Sequence, residues 1–394
     1  MPSEDVIYLD HAATTPIDAD VLAIMLPWMT ERFGNPSSIY QRGQAARAAL
    51  DDARVAVARV LGCRPGEIVF TSGATESDNL AVKGVARAAR LREPGRRPHI
   101  VTTAIEHHAV LHAAESLVRE GWCDLTVVAP EQDGVVRVEA VAAAIRPETC
   151  LVAVMYANNE TGAIQPVAEI ARAARERGAP VFTDAVQAAG SLPLGVDALG
   201  CDLLALSAHK FHGPKGVGAL YVRSGVPIDW QQDGGGQEQG RRGGTENVAG
   251  IAGMAAALAK AEALRPVAAP AIAARRDRLL ELLKADIPGL ELNGPACGDR
   301  RLPNNLNVAI PGIQGETMLL GLDMEGVAAS AGSACTTGNA EPSHVLVAMG
   351  LPEERCRASL RFTLGRDTTD EDVEDAAAIV AEVAGRVRML AGSR

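Results

Sequence analysis

The chain has 394 residues, of which 47% are hydrophobic and 22% charged, and this balance excludes wholesale disorder, collagen and coiled coil. Lysine and arginine number 38 against 49 aspartates and glutamates, and the resulting net charge of −11 argues against a general nucleic-acid binder. The acidic N-terminus has no apolar signal segment, and no apolar run could span a bilayer. The 7 cysteines lack zinc-type spacing. We therefore expect a cytoplasmic protein with free thiols.

From about residue 66, short β-rich runs alternate with helical stretches rich in alanine and arginine. This alternation predicts an α/β fold, in which a large domain has a mainly parallel central sheet flanked by helices. Ligands of such sheets bind at the carboxyl ends of the strands, so the residues after each strand are the first candidates for a site. The predicted strands are 67–71, 99–103, 125–128, 150–155, 180–183 and 202–206, and the helices between them include 75–90, 109–119, 138–145 and 167–177.

The first of these strands leads into small residues at 72–77, where the next helix begins. Backbone N–H groups in such a stretch could hold an anion, helped by the helix dipole. An ordinary helix cap formed by Ser72 or Thr75 would fit the same residues. The chain has no G-x-x-x-x-G-K-[ST] motif and no G-x-G-x-x-G motif after its first strand, which excludes a P-loop and argues against a dinucleotide fold.

Three histidines follow the strand at 99–103. His108 and His112 lie one helical turn apart and could bind a metal ion, but no third ligand with suitable spacing accompanies them. We therefore predict no metal site. His107 could instead stack on a flat cofactor ring, or it could belong to a plain polar turn.

Two later strand ends carry an acid and a lysine. Asp184 follows the strand at 180–183 and could be a structural cap or the anion that keeps a pyridinium nitrogen protonated. Lys210 follows the strand at 202–206, where burial would lower its pKa and make it a nucleophilic amine. An anion site, an acid and a lysine at strand ends are together what pyridoxal 5'-phosphate requires, and we predict this cofactor.

The strand–helix alternation ends at about residue 248. We predict a second, smaller α+β domain, so that residues 16–262 form the large cofactor-binding domain and residues 1–15 and 263–394 form the small one. Its predicted elements are helical segments up to residue 284 broken by Pro266 and Pro270, a strand at 304–310, a helix at 316–324 and a closing helix at 370–389.

The small domain contributes two further candidate residues. Cys335 lies in a loop of small residues at about 330–340, where a thiolate would be accessible, although an incidental loop thiol fits equally well. Arg361 follows a short strand-like stretch, and its planar guanidinium suits the capture of a substrate carboxylate. A surface ion pair is the alternative for this arginine.

Motifs typical of one enzyme family lie at 8–16, 33–38, 70–79, 105–108, 158–162, 184–187, 207–218, 234–247, 302–304, 330–346 and 361–366. Through them the chain resembles the cysteine desulfurases, which are pyridoxal-phosphate enzymes of fold type I in the class V aminotransferase family. The motifs cover nearly the whole chain. The loop after residue 330 is similar to that of the long-loop desulfurases, which hand sulfur to scaffold partners.

The resemblance implies how the cofactor would be held. Lys210 would form the Schiff base, Asp184 would pair with the ring nitrogen and Gln187 with the ring oxygen, and His107 would stack on the ring. Thr245 would reach the cofactor phosphate of the neighbouring subunit, which implies a homodimer with shared sites. The phosphate of the chain's own cofactor would be held by Ala74, Thr75, Ser207 and His209.

The resemblance also implies the reaction. Asn159, beside the cofactor, and Arg361 would position the carboxylate of L-cysteine, while Lys210 and His107 would act in catalysis. Cys335 would take the sulfur as a persulfide, leaving L-alanine, and would deliver it to acceptors such as iron–sulfur cluster scaffolds or thiolation enzymes. No direct contact with nucleic acid is implied.

Other functions remain open at this point. A selenocysteine lyase, a cysteine sulfinate desulfinase or a transaminase could use the same fold, although a transaminase has no use for Cys335. A non-catalytic scaffold for sulfur transfer is an alternative of a different class. The presence of Lys210, Asp184 and Cys335 together argues against the scaffold.

Overall fold

The computed structural model describes residues 6–331 and 342–392. Its strands, in chain order, are β1 Ile7–Tyr8, β2 Ile68–Thr71, β3 His99–Thr103, β4 Asp124–Val128, β5 Thr149–Ala153, β6 Val181–Asp184, β7 Leu203–Ser207, β8 Gly218–Val222, β9 Glu291–Leu292, β10 Asn305–Ala309, β11 Val327–Ala328 and β12 Ser359–Thr363. Its helices are α1 Ala19–Met29, α2 Gln41–Leu61, α3 Ala74–Arg92, α4 His108–Arg119, α5 Val138–Ala144, α6 Val167–Arg175, α7 Val196–Leu199, α8 Val248–Asp286, α9 Gly315–Met324, α10 His344–Ala348, α11 Glu353–Arg357 and α12 Asp370–Gly392.

The central feature is a seven-stranded sheet with the strand order β2-β8-β7-β6-β5-β3-β4. Strand β8 runs antiparallel to both of its neighbours, β2 and β7, and the remaining pairs are parallel. All parallel strands therefore end at the same edge of the sheet. The prediction of an α/β fold with a mainly parallel central sheet flanked by helices is confirmed.

The two faces of this sheet are both buried, as expected for a parallel sheet covered by helices. Successive strand residues point to opposite faces, so Leu203 and Ala205 of β7 pack with residues of α3 and α4. Leu204 and Leu206 of the same strand pack on the other face, with residues of α2, α6 and α8. The near-continuous apolar runs of these strands follow directly from burial on both sides.

A second group of elements has its own apolar cluster. Strands β12-β10-β9 form an antiparallel sheet, and β1 pairs in parallel with β11. Val308, Leu360 and Phe362 of this group are buried with residues of α8, α9 and α12. The predicted boundary at residue 262 falls within α8, whose first half packs in one cluster and second half in the other, so the division into domains stays a prediction.

Helix α8 corrects one expectation. The predicted break at Pro266 and Pro270 is wrong, because the helix runs through both prolines over 39 residues. Each proline removes one backbone hydrogen bond, a cost that can be offset when the rest of a helix is held by packing. Here α1 and α2 pack against α8 at one end and α12 packs against it at the other.

Nine elements were not anticipated from the sequence, namely β1, α1, α2, α7, β8, β9, β11, α10 and α11. The turn residues at 213–216 gave no indication of β8, which begins shortly after them, at Gly218. In the part of the chain that the structure describes, no helix combines the length and hydropathy needed to cross a membrane.

Candidate active site

A cavity of about 700 Å³ opens where the parallel strands of the central sheet end. Strand β6 contributes its last residue, Asp184, and β7 contributes Ser207 and the turn that follows it. This is the edge at which ligands bind in open α/β sheets. The predicted site residues on its wall are Ala74, Thr75, His107, Asn159, Asp184, Gln187, Ser207, His209, Lys210 and Arg361.

Lys210 reaches across the cavity from the turn after β7. Its Nζ donates hydrogen bonds to the carbonyl oxygens of Ala12 and Ala13, at 2.6 and 2.7 Å. Burial, and after it the positive charge of Arg361, lower the pKa of Lys210 to about 8. About a tenth of this amine is therefore uncharged at pH 7, far more than for an ordinary lysine, and can act as a nucleophile or a base.

Asp184 is buried at the end of β6. Its Oδ1 accepts a hydrogen bond of 2.9 Å from the backbone N–H of Val186. Burial raises the pKa of this carboxyl group, while His107 and Lys210 favour its ionised form. A cationic ring nitrogen placed in the cavity would favour the carboxylate further, because an opposite charge stabilises it.

The N-terminus of α3 forms another part of the wall. Gly73 precedes the helix and has no side chain with which to cap the first-turn amides, and Ala74 and Thr75 line the cavity. The loop can approach β8 closely because Gly218 has no Cβ, which would lie 2.7 Å from the backbone of Gly73. Free amides at the positive end of a helix are suited to a phosphate group.

Ser207 and His209 are two further groups suited to an anion at the N-terminus of α3. Ser207 lines the cavity beside Gly73, and the Nδ1 atom of His209 is 3.1 Å from Thr14 Oγ1. Glu76 would oppose an anion, but its carboxylate is paired with Arg242 at 2.9 Å and also accepts hydrogen bonds from Ser72. The acidic residue of the first turn is thus neutralised locally.

The side chains that could face a flat ring are held by the backbone. His107 caps α4, and its Nδ1 accepts a hydrogen bond of 3.1 Å from the N–H of Ala109, which leaves the proton of a neutral ring on Nε2. The amide of Gln187 donates to the carbonyl oxygen of Ala12 at 3.1 Å. The residues at 12–13 therefore orient both Gln187 and Lys210.

Arg361 enters the cavity from β12. Its Nη1 donates to the carbonyl oxygen of Asn159 at 3.0 Å, and its Nη2 pairs with Asp10 Oδ1 at 2.8 Å. Its Nε is buried with no hydrogen-bond partner among the described residues. The sequence assigned no role to Asp10, although the residue lies within one of the motifs that carry the resemblance.

Two predicted residues are not part of this wall. Thr245 is exposed, in the segment between β8 and α8. Cys335 lies outside the described residues. The buried acids Asp78 and Glu106, which the sequence did not mark as site residues, do lie at or beside the cavity.

The histidines after β3 form a small surface cluster. The ring of His108 stacks on that of His112 with a centroid distance of 4.6 Å and lies 4.4 Å from the ring of His344. Across residues 6–331 and 342–392, no group of histidine, cysteine, aspartate and glutamate side chains is arranged to hold a metal ion.

The six described cysteines are all free. Burial raises the pKa of each thiol, and for four of them, Cys63, Cys123, Cys150 and Cys201, to about 12. The pKa values of Cys297 and Cys356 are raised for the same reason. These thiols are therefore poorly suited to act as thiolate nucleophiles near neutral pH.

Comparison with known proteins gives a consistent result. The family model described as aminotransferase class-V matches residues 7–375. "Cysteine desulfurase IscS" of Methanosarcina thermophila is 48% identical, over 97% of this chain and 93% of the relative. The protein of the same description from Clostridium botulinum strain Hall is 46% identical, over 93% and 91%. A solved structure titled "NIFS-LIKE PROTEIN" superimposes with a TM-score of 0.89 at 36% identity, covering 97% of this chain and 100% of that one.

Proposed function

The chain belongs to the aminotransferase class-V family, and on that premise we propose that it is a pyridoxal-phosphate-dependent cysteine desulfurase. The observation that carries the proposal is Lys210, a buried lysine whose pKa is lowered to about 8, in one cavity with Asp184 and the N-terminus of α3. These are the three parts that this cofactor needs.

The chemistry of the cavity fits pyridoxal phosphate. When bound, the cofactor withdraws electrons from the Cα atom of an amino acid. The free amides of Ala74 and Thr75 would hold its phosphate together with Ser207 and His209. Asp184 would stand against the ring nitrogen, Gln187 against the ring oxygen, and His107 against the face of the ring.

Substrate binding is assigned to Asn159 and Arg361. The guanidinium already has a fixed direction, because Asn159 and Asp10 hold two of its nitrogens. Its unpartnered Nε is a buried donor that a substrate carboxylate could satisfy, with a gain typical of charge-assisted hydrogen bonds. Lys210, as a neutral amine, would accept the proton from the Cα atom of the bound cysteine.

Cys335 is the proposed sulfur acceptor. Its thiolate would attack the sulfur of the substrate, the C–S bond would break, and the carbon would take up a proton to give L-alanine. Cysteine and one enzyme thiol thus become alanine and one enzyme persulfide, which leaves atoms and electrons balanced. The raised pKa values of the other six thiols support this choice.

The protein is further proposed to act as a cytoplasmic homodimer. Thr245 is exposed and would reach the phosphate site of the second subunit. The exposed apolar side chains of Phe33 and Ile39 offer surface for such an interface, with 66% and 90% of each accessible. The persulfide would be delivered to a protein acceptor, such as an iron–sulfur scaffold or a thiolation enzyme.

The test is turnover of L-cysteine with and without Cys335. The purified protein is expected to release alanine and to carry a persulfide on Cys335, located by mass spectrometry of peptides. Cys335→Ala should keep the visible colour of the bound cofactor but lose the persulfide and the alanine. Cys297→Ser is the matched control, because this thiol is half-buried and has a raised pKa, and it should behave like the unaltered protein.

Retained turnover in Cys335→Ala would refute the role of that thiol. Alanine formed only from selenocysteine or from cysteine sulfinate would favour one of the alternative lyases. A coloured protein that releases no alanine from any of these substrates would contradict the proposed activity.

A further inference from the structure

Asp78 is a buried acid that the proposed reaction does not use. It lies near the start of α3, is only 1% exposed and lines the cavity. Its Oδ1 is buried without a hydrogen-bond partner. A buried polar group without partners is uncommon and calls for a physical explanation.

Two other buried acids are its electrostatic neighbours. Asp184 shares a face of β6 with Phe182, which packs with Leu80 of α3, so its carboxyl group is directed towards the helix that carries Asp78. Glu106 follows β3, and its Oε2 is also buried without a partner. The titratable and charged groups around this region are Glu76 and Asp78 on α3, Glu106 and His107 before α4, Asp184 on β6, His209, Lys210 and Lys215 after β7, and Arg361 on β12.

Three neighbouring buried acids cannot all be ionised at low cost, because each negative charge opposes the others. The carboxylate form is favoured where donors and positive charges are present. Asp184 has the N–H of Val186 and the positive influence of His107 and Lys210. Glu106 has the hydroxyl of Thr103 at 2.7 Å and the N–H of Met155 at 2.9 Å.

Oδ1 of Asp78 has no donor, and the neighbouring charges that act on this acid are those of Asp184 and Glu106, so it is the acid that loses most by ionising. Burial, together with Asp184 and Glu106, raises its pKa well above the ordinary value. Burial likewise raises the pKa of Glu106 to about 8. Both raised pKa values agree with the conclusion from the hydrogen bonds that Asp78 is the acid least favourable to ionise.

We propose that Asp78 is a positioning residue that carries a proton at neutral pH and, as a neutral acid, leaves Asp184 as the anion directed at the cofactor's ring nitrogen. The protonation of Asp78 is a property of the chain itself. Only its consequence for the ring nitrogen rests on the proposed function.

The first experiment measures unfolding as a function of pH in Asp78→Asn, with the cofactor removed. In the unaltered chain the folded state keeps a proton on Asp78 that the unfolded state has lost, so stability falls as pH rises above the unfolded pKa of about 3.9. Asparagine has no such proton. The urea midpoint of Asp78→Asn minus that of the unaltered chain should therefore increase as the pH is raised from 5.5 to 8.5.

The exposed Asp52 of α2 provides the control, and Asp52→Asn should keep a constant offset across the same pH range. A constant offset for Asp78→Asn as well would overturn the inference, since it would mean that ionised Asp78 carries no penalty.

A measurement on the unaltered holoprotein covers the case in which the variant does not fold. With aspartate labelled by ¹³C at the carboxyl carbon, infrared spectra at pH 7 should contain the carbonyl band of one protonated aspartate. The absence of that band would contradict the inference.

The consequence for the cofactor is tested through its visible absorption. Replacing a neutral acid by an amide removes no charge. The midpoint, which is the pH at which the visible band of the bound cofactor is half converted, should therefore stay nearly unchanged in Asp78→Asn. Were Asp78 ionised, removing its negative charge from the cavity wall would lower the midpoint by about one pH unit, which would contradict the proposal. A protein that takes up no cofactor at all would instead refute the proposed function, while the unfolding result would still decide the protonation of Asp78.

Discussion

At the scale of single residues, the reactivity of the site depends on where Lys210 is held. Its amine is bonded to two carbonyl oxygens, of Ala12 and Ala13, and no carboxylate forms an ion pair with it in the described residues. An ion pair would have kept the charge on the amine and its pKa high. Burial and the nearby Arg361 have the opposite effect and lower the pKa to about 8.

This predicts how cofactor uptake depends on pH. Addition of pyridoxal phosphate to the cofactor-free protein needs the uncharged amine, so the fraction of competent protein should rise with pH through a midpoint near 8. An ordinary exposed lysine would give a midpoint near 10.4. Stopped-flow absorbance at a series of pH values measures the rate.

Lysine variants separate this site from non-specific reaction. Lys210→Ala should abolish the visible band, whereas Lys284→Ala, which alters an exposed lysine at the end of α8, should leave both band and midpoint unchanged. A midpoint above 10 in the unaltered protein would contradict the proposed role of burial.

At the scale of elements, the segment between β8 and α8 is held by a buried ion pair. Glu238 bonds Arg54 of α2 through both carboxylate oxygens, at 2.6 and 2.9 Å, and also accepts the N–H of Phe70 at 3.0 Å. Glu238 and Gln239 both have positive φ values, of 46° and 61°, which is unfavourable for residues other than glycine. The ion pair thus stabilises a strained turn in the segment that carries Thr245.

Breaking this pair should be costly. Glu238→Gln leaves the guanidinium of Arg54 buried without its counter-charge, and we expect a loss of about 3–5 kcal/mol in the free energy of unfolding. The matched control is Asp51→Asn, which removes the partner of Arg47 on the exposed face of the same helix, where such a pair contributes at most about 0.5 kcal/mol. Urea titrations of both variants give the comparison, and similar losses in the two would contradict the role assigned to burial.

At the scale of the whole molecule, the site is assembled from distant parts of the chain. Lys210 is bonded to residues 12–13, and Arg361 is bonded to Asp10 and Asn159. Helix α8 connects the apolar cluster of the central sheet with that of the smaller sheets. Thr245 alone among the described candidates has no place in the cavity of its own chain, which is the arrangement expected if it serves a second copy.

Mixed dimers test this arrangement. Thr245→Ala by itself should weaken cofactor retention by roughly ten-fold, the effect of losing one hydrogen bond to a charged group. When it is mixed with Lys210→Ala under conditions that exchange subunits, each mixed dimer should regain one site with both Lys210 and Thr245 intact. Equilibrium dialysis of the mixture against dilute cofactor measures how many sites per dimer bind the cofactor tightly.

Unmixed samples of each variant are the controls. If Thr245 acted within its own chain, mixing would restore no site that binds the cofactor tightly. A protein whose mass in solution equals that of one subunit would exclude shared sites altogether.

The sequence by itself determined the sheet-forming alternation, because burial on both faces requires the apolar runs that end at Asp184 and Ser207. It also identified the lysine, the acid and the small residues at the ends of three strands, since residue type and place along a strand together indicate the chemistry. The detailed roles of these residues came from the resemblance and stay predictions.

The tertiary structure decided what depends on neighbours that are distant in the chain. The continuity of α8 through Pro266 and Pro270 depends on helices packed at both of its ends. The state of Lys210 depends on its burial and on Arg361, 151 positions later, and that of Asp78 depends on Asp184 of β6 and on Glu106, which follows β3. A pKa is set by burial and charges in space, and neither can be read from the residues adjacent in sequence.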